Sequence, residues 1–269
     1  MAPVLPIVLA VYEDRDRGSV TISKAPSNQF YLLTFAAPPD NRLTPHLCRA
    51  LLLALDIIET ELLSVEKLPL VTTSAIPKFY SNGLDLQLAT DTPGFWNEAL
   101  YPLFKRFLEY GTPCIAMING HAFAGGLMTA MCQDYRIMNP SRGFVCLNEL
   151  EFGAPLKAPM SAIFREKLTP KAYQKTVLEA TRYTADMALD YGLVDAKGVL
   201  EDVDAFIKEK GLVRLCKSPS YGVLKKEMWR DIIKYCIALD ADEEHVLRED
   251  MKNEKRKTAD RLAVLKAKM

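Results

Sequence analysis

The chain has 269 residues, 49% of them apolar, and its 34 lysines and arginines balance its 34 aspartates and glutamates. A zero net charge gives no bulk attraction to nucleic acid or to an anionic membrane, and no apolar run approaches the ~20 residues that span a bilayer. The six cysteines lack CxxC spacing and the three histidines share no motif, so buried thiols are expected rather than disulfides or a metal site.

The N-terminal stretch MAPVLPIVLAVYEDRDRG lacks a basic leader and a cleavage-like site, and reads as a strand rather than a signal peptide. Residues 19–36 alternate in polarity around a Pro-Ser-Asn turn, the pattern of a hairpin. Asp40-Asn41-Arg42 reads as a loop. Thr44-Pro45 then supplies an N-cap and a first helical residue for HLCRALLLALDIIETELL, whose leucines and isoleucines recur at helical spacing. A short apolar strand is expected at 69–73 and a loop feeding a helix at 76–89. An amphipathic helix follows at 95–110, closed by Gly111 and Pro113, and a buried strand at 114–118. Residues 135–138 look strand-like, and 144–153 like a strand running into a turn. Beyond 160 the pattern is helical, about 160–168, 171–180, 184–191, 201–215, 219–237 and 241–266. Strands alternating with helices up to residue 150 predict an α/β core, with a helical region appended.

The segment 119-NGHAFAGGLMTAMCQDYRIM-138 runs from small residues through Gly125-Gly126 into an apolar helix, with no reactive side chain before Cys132 and Asp134. A glycine turn at a helix start exposes backbone N–H groups, which suit a negative charge developing on oxygen. Close packing of helix on sheet explains the same glycines. Ser81-Asn82-Gly83-Leu84-Asp85-Leu86 repeats the device, with Asp85 placed to cap its helix. Two such turns make a two-donor oxyanion hole only if they meet in space.

Five stretches in this order resemble the crotonase superfamily of enoyl-CoA hydratases and isomerases: 41-NRLTPHLCRALLLALDIIE-59, 78-KFYSNGLDL-86, 118-INGHAFAGGLMTAMCQDYRIM-138, 147-LNELEFG-153 and 184-TADMALDYGLVD-195. The resemblance implies an α/β spiral of ββα units over residues 1–200. It also implies a helical C-terminal trimerisation region over 201–269, and a homotrimer or dimer of trimers. It implies an acyl-CoA substrate whose thioester oxygen is held by the amides of Leu84 and Gly125, with no separate cofactor. Tyr80, Ser81, Asn82, Gly83 and Asp85 match the loop that holds the CoA moiety, mostly through its backbone, and Asn148 is a candidate lining residue of the acyl pocket. Family members that hydrate a double bond carry two glutamates, and the first would fall three residues past Gly125, where this chain has Met128. The second matches Glu149, four residues before Gly153. One carboxylate suits a Δ3,Δ2-enoyl-CoA isomerase, which moves a proton from C2 to C4 without activating water; the hydratase is the alternative.

Glu149 is flanked by Phe144, Val145, Leu147, Leu150 and Phe152, and packing of several against it would raise its pKa. Read from its own residues, it is equally a solvated carboxylate at a strand end, and Glu151 would share its face in an extended strand. His121 reads as a packed or solvent-facing side chain. The basic residues of 252–268 read mostly as a solvated helix face, with CoA phosphates as the alternative partner. The ending Ala267-Lys268-Met269 resembles a Ser-Lys-Leu type peroxisomal signal, for which an import receptor is the expected partner.

Overall fold

The computed structural model describes residues 3–12, 17–237, 252, 253 and 256. The chain divides into two compact units, Met1–Cys236 and Ile237–Met269. The second falls almost wholly outside the described residues, as do the tripeptide Ala267-Lys268-Met269 and all of the basic run 252–268 except Lys252 and Arg256. The remainder of the description concerns the first unit.

Among the described residues, ten strands form two sheets. The larger has the order β1-β2-β3-β4-β6-β8-β10, comprising Ile7–Ala10, Ser19–Lys24, Tyr31–Ala36, Leu70–Ser74, Cys114–Ile118, Tyr135–Met138 and Ala196–Lys197. The expected hairpin is present as antiparallel β2 and β3, and from β3 onward every pairing is parallel. The parallel strands β4 and β6 are buried along their full lengths, which is why they read as short apolar runs rather than alternating ones. A second sheet, ordered β5-β7-β9, consists of Phe79–Ser81, His121–Phe123 and Val145–Cys146.

Helices α1 (Pro45–Ile57), α2 (Leu86–Asp91), α3 (Tyr101–Leu108) and α4 (Gly125–Met131) alternate with these strands. After β9 come α5 (Glu149–Phe152), α6 (Ala158–Lys167), α7 (Pro170–Leu178) and α8 (Ala185–Asp190). The last are α9 (Val203–Lys210), α10 (Leu212–Leu215), α11 (Tyr221–Met228) and α12 (Arg230–Ile237). Thr44 caps α1 as expected, its hydroxyl accepting from the Leu47 amide at 3.2 Å. One face of the large sheet, with Val71, Ile115, Met117 and Ile137, packs against Val203, Phe206, Ile207 and Leu212 of α9 and α10. The helical region expected from residue 201 therefore supplies part of the sheet's own core. All six cysteines are free and buried, as expected.

Several local expectations differ from the structure: the loop expected from residue 76 contains β5, the helices expected at 201–215 and 219–237 are each divided, and two differences lie at the site. The glycine-rich stretch contains a strand, β7, before its turn: three residues between Gly120 and Ala124 are too few to show a period of two. Over 144–153, where a strand running into a turn was expected, the strand stops at Cys146 and is followed by a four-residue helix closed by Gly153 in the left-handed conformation, φ 72°. Glu149 and Glu151 therefore do not share a face. Glu151 turns outward and pairs with Arg182 at 3.0 Å.

Candidate active site

The small sheet assembles the site. Its three strands are parallel, with Phe79 opposite His121, Ser81 opposite Ala122 and Phe123 opposite Cys146. Their carboxyl ends therefore emerge side by side: Asn82-Gly83-Leu84 from β5, Ala124-Gly125 from β7, and Leu147-Asn148-Glu149 from β9. Ligands in parallel α/β sheets characteristically bind at that end.

The two glycine turns meet. A Cβ placed on Gly83 would lie 3.2 Å from the Gly125 nitrogen and 2.9 Å from the Ala124 Cβ. One placed on Gly126 would run into the Ser81 carbonyl and come 2.8 Å from the Ser81 Cβ. Gly83 is also left-handed, φ 81°, so glycine serves there for both conformation and space. Ala124 adopts φ 48° and ψ −122°, a conformation that costs a non-glycine residue about 1–3 kcal/mol.

Backbone hydrogen bonds aim the two amides. The Gly83 carbonyl accepts from the Leu43 amide at 2.8 Å, and the trans peptide then points the Leu84 N–H the opposite way. Arg42 donates to the Leu84 carbonyl at 2.9 Å and fixes the next peptide. The Ala124 carbonyl accepts from Met128 at 3.0 Å along α4, so the Gly125 N–H faces out of the helix start, where it has no intrahelical acceptor. With only seven residues, α4 contributes little as a dipole; the amides themselves are the donors.

Glu149 opens α5 with 8% of its surface exposed, and its Oε2 has no hydrogen-bond partner among the described residues. Desolvation raises its pKa from 4.5 to about 7, while its own backbone amide acts in the opposite direction. The side chains expected to shield it do so only in part. Val145 and Leu147 are buried, whereas Phe144, Leu150 and Phe152 face solvent. Beside it the Asn148 Oδ1 is likewise buried without a partner. Met128 is fully buried in α4.

The remaining predicted residues hold the first turn through their side chains. Tyr80 is fully buried, with its hydroxyl bonded to Thr72 and Gln133. Ser81 donates to the Asn41 carbonyl at 2.7 Å, Asn82 donates to Asp40 at 2.7 Å, and the Asp85 carboxylate caps α2 by accepting from Leu88 at 3.1 Å. These bonds tie the four side chains to the surrounding protein. His121 is packed: its Nδ1 accepts from the Phe144 amide at 3.1 Å, and its ring lies among Phe79, Phe123 and Phe144. Burial, and then Lys78 and Arg182, lower its pKa.

Asn41 is the residue the sequence reading passed over as loop. Fully buried at φ 55°, it accepts from the Ala37 amide and donates to Ser74 and to the Tyr80 carbonyl, pinning β5 to β4. An asparagine, tolerant of the left-handed region, three residues before the Thr44 cap is the signal that would have flagged it. A cavity of about 550 Å³ lies elsewhere, lined by Glu59, Lys67, Arg106, Thr112 and Lys226 among others, and no predicted site residue borders it. Among the described residues no group of three His, Cys, Asp or Glu side chains is placed to hold a metal ion.

The model of the enoyl-CoA hydratase/isomerase family matches residues 26–257. The chain belongs to that family. Among family members it is similar to the peroxisomal enoyl-CoA delta isomerase 1 of Arabidopsis thaliana, with 31% identity over 218 residues, 78% of this chain and 90% of the relative. The fold is shared with human mitochondrial delta3-delta2-enoyl-CoA isomerase, TM-score 0.68 at 22% identity, over 88% of this chain and 99% of that one. It is shared equally with an enoyl-CoA hydratase of Mycobacterium marinum, TM-score 0.69 at 22% identity, over 81% and 95%. Backbone likeness to both an isomerase and a hydratase leaves the reaction to the side chains of this enzyme's own site.

Proposed function

We propose that this enzyme is a Δ3,Δ2-enoyl-CoA isomerase in which Glu149 is the only proton carrier. The observation that carries the reading is a buried carboxylate oxygen without a partner among the described residues, at the start of α5 just past β9, in the sheet whose other two strands lead into the two glycine turns, with a methionine where a second acid would stand. Ionised Glu149 takes a proton from C2 of a 3-enoyl thioester. The electron pair moves into the thioester carbonyl, and the amides of Leu84 and Gly125 stabilise the oxygen of the dienolate. Return of the proton to C4 re-forms the carbonyl and leaves the double bond between C2 and C3. Water is neither consumed nor released, so no second carboxylate is needed. A pKa near 7 suits a group that must both accept and give back the same proton.

The neighbouring carboxylates are otherwise engaged, Glu151 with Arg182 and Asp85 with the start of α2, which weighs against hydration by a glutamate pair. The Arabidopsis relative, named peroxisomal, supports a place in peroxisomal β-oxidation of unsaturated acyl chains. Homotrimeric assembly belongs to the same reading, and sedimentation tests it.

The decisive assay supplies a 3-enoyl-CoA and follows the absorbance of the conjugated 2-enoyl product. Wild-type protein is expected to turn over, and Glu149→Gln to lose on the order of 10²–10⁴ in kcat. Folded wild-type protein that gives no rise above the blank, yet removes the absorbance of a 2-enoyl-CoA by adding water, would instead identify a hydratase.

A further inference from the structure

Three side chains form a closed hydrogen-bonded triangle beneath the site. Thr72 of β4 donates to the Gln133 Oε1 at 3.0 Å, and the Gln133 Nε2 donates to the Tyr80 hydroxyl at 3.1 Å. The Thr72 and Tyr80 oxygens are 2.9 Å apart. Because the single Thr72 proton goes to Gln133, the Tyr80 proton must go to Thr72, so each donor is used once. All three residues are at most 1% exposed. Burial also pushes the Tyr80 pKa up to about 12, which keeps its hydroxyl proton in place.

The triangle spans both turns. Tyr80 immediately precedes Ser81-Asn82-Gly83-Leu84, the first turn. Gln133 follows the last residues of α4, whose first residue is Gly125. The Gln133 main chain is itself fixed, its carbonyl accepting from Lys167 at 3.0 Å and from Arg136 at 3.0 Å, while Lys167 also donates to the Met131 carbonyl. Helix α4 is thus held at its far end, and the Gln133 carboxamide is the side-chain link from that end to β5.

We propose that Gln133 is a positioning residue: through Tyr80 and Thr72 it sets the spacing between the Leu84 and Gly125 amides, and with it their joint grip on the thioester oxygen. The proposal rests on the oxyanion reading given above. A replacement that removes the bonds but keeps the length, Gln133→Met, would let the two turns drift apart while leaving the acyl-CoA contacts elsewhere untouched.

The test reads the carbonyl directly. Wild type, Gln133→Met and Tyr80→Phe are each mixed with a 2-enoyl-CoA carrying ¹³C at the thioester carbon, and the infrared carbonyl band of the bound ligand is compared with that of the free one. Wild type is expected to lower the frequency, and both variants to give back a substantial part of that lowering. With a 3-enoyl-CoA, kcat of Gln133→Met should fall about 10- to 100-fold with KM within about twofold, as for small misplacements of groups that act at the transition state. The Gln133→Met/Tyr80→Phe double variant should be no worse than Gln133→Met alone. A wild-type carbonyl band in both folded variants overturns the proposal, and so does a fall confined to binding. If both variants fail to fold, the triangle serves stability alone and the proposal is likewise overturned. Wild type that lowers the band but does not isomerise would sink the isomerase reading and leave the positioning role to be judged on the band. Wild type that does not lower it would sink both.

Discussion

Replacing Glu149 by glutamine should stabilise the protein while disabling it, and the gain should depend on pH. The folded-state pKa is raised from 4.5 to about 7, mainly by loss of solvent. Below pH 4.5 the carboxyl is neutral in both folded and unfolded chains and its burial carries no charge penalty. As pH rises, the unfolded chain ionises first, and the folded state loses stability until it ionises too, near pH 7. At 1.36 kcal/mol per pH unit the displacement from 4.5 to about 7 amounts to about 3 kcal/mol, undiminished by solvent because the residue is 8% exposed. Glutamine has no such ionisation. The difference in melting temperature between Glu149→Gln and wild type should therefore grow by on the order of 5–10 °C between pH 4.5 and 7.5, then level off. Circular dichroism melts at half-unit pH steps measure it, and using the change with pH cancels the constant cost of burying an amide. A difference that stays flat across this range would refute the desolvated carboxylate. On the proposed mechanism the same group sets the rate: kcat/KM of the wild type should rise with pH, reach half its maximum near pH 7 and level off above it, as the base loses its proton.

Other substitutions probe the frame. Ala124→Gly removes the unfavourable φ of 48° and should raise stability by about 1 kcal/mol, net of the added freedom of the unfolded chain, as read from chemical denaturation. Gly126→Ala drives a methyl into the Ser81 carbonyl; it should cost about 2–3 kcal/mol and reduce kcat, since the two turns can no longer approach. Lys225 and Asp134 form a buried pair at 2.7 Å, and Lys225→Ala should cost about 3–5 kcal/mol by leaving the carboxylate uncompensated, without a matching loss of kcat in the protein that remains folded.

Local physics was legible in the chain. The Thr44 cap, the hairpin of β2 and β3, the buried runs of β4 and β6 and the helices α6, α7 and α8 each follow from neighbours a few residues apart, and capping, alternation and apolar spacing act at that range. The glycine turns also stand out in the sequence, whereas Glu149 and the Met128 position were singled out only by the resemblance to the crotonase superfamily. The convergence of those parts was not legible. Whether Gly83 meets Gly125 depends on the register of β5 on β7, and that register joins segments about forty residues apart. The desolvation of Glu149 could not be read from its flanks either, because Phe144, Leu150 and Phe152 turn outward once the strand ends at Cys146. Gln133 and Asn41 looked like ordinary polar residues, since a buried amide shows its role only through the partners that surround it. Residue order determined the pieces and their caps; only the packed chain decided which turns lie in contact and which carboxylate is kept from water.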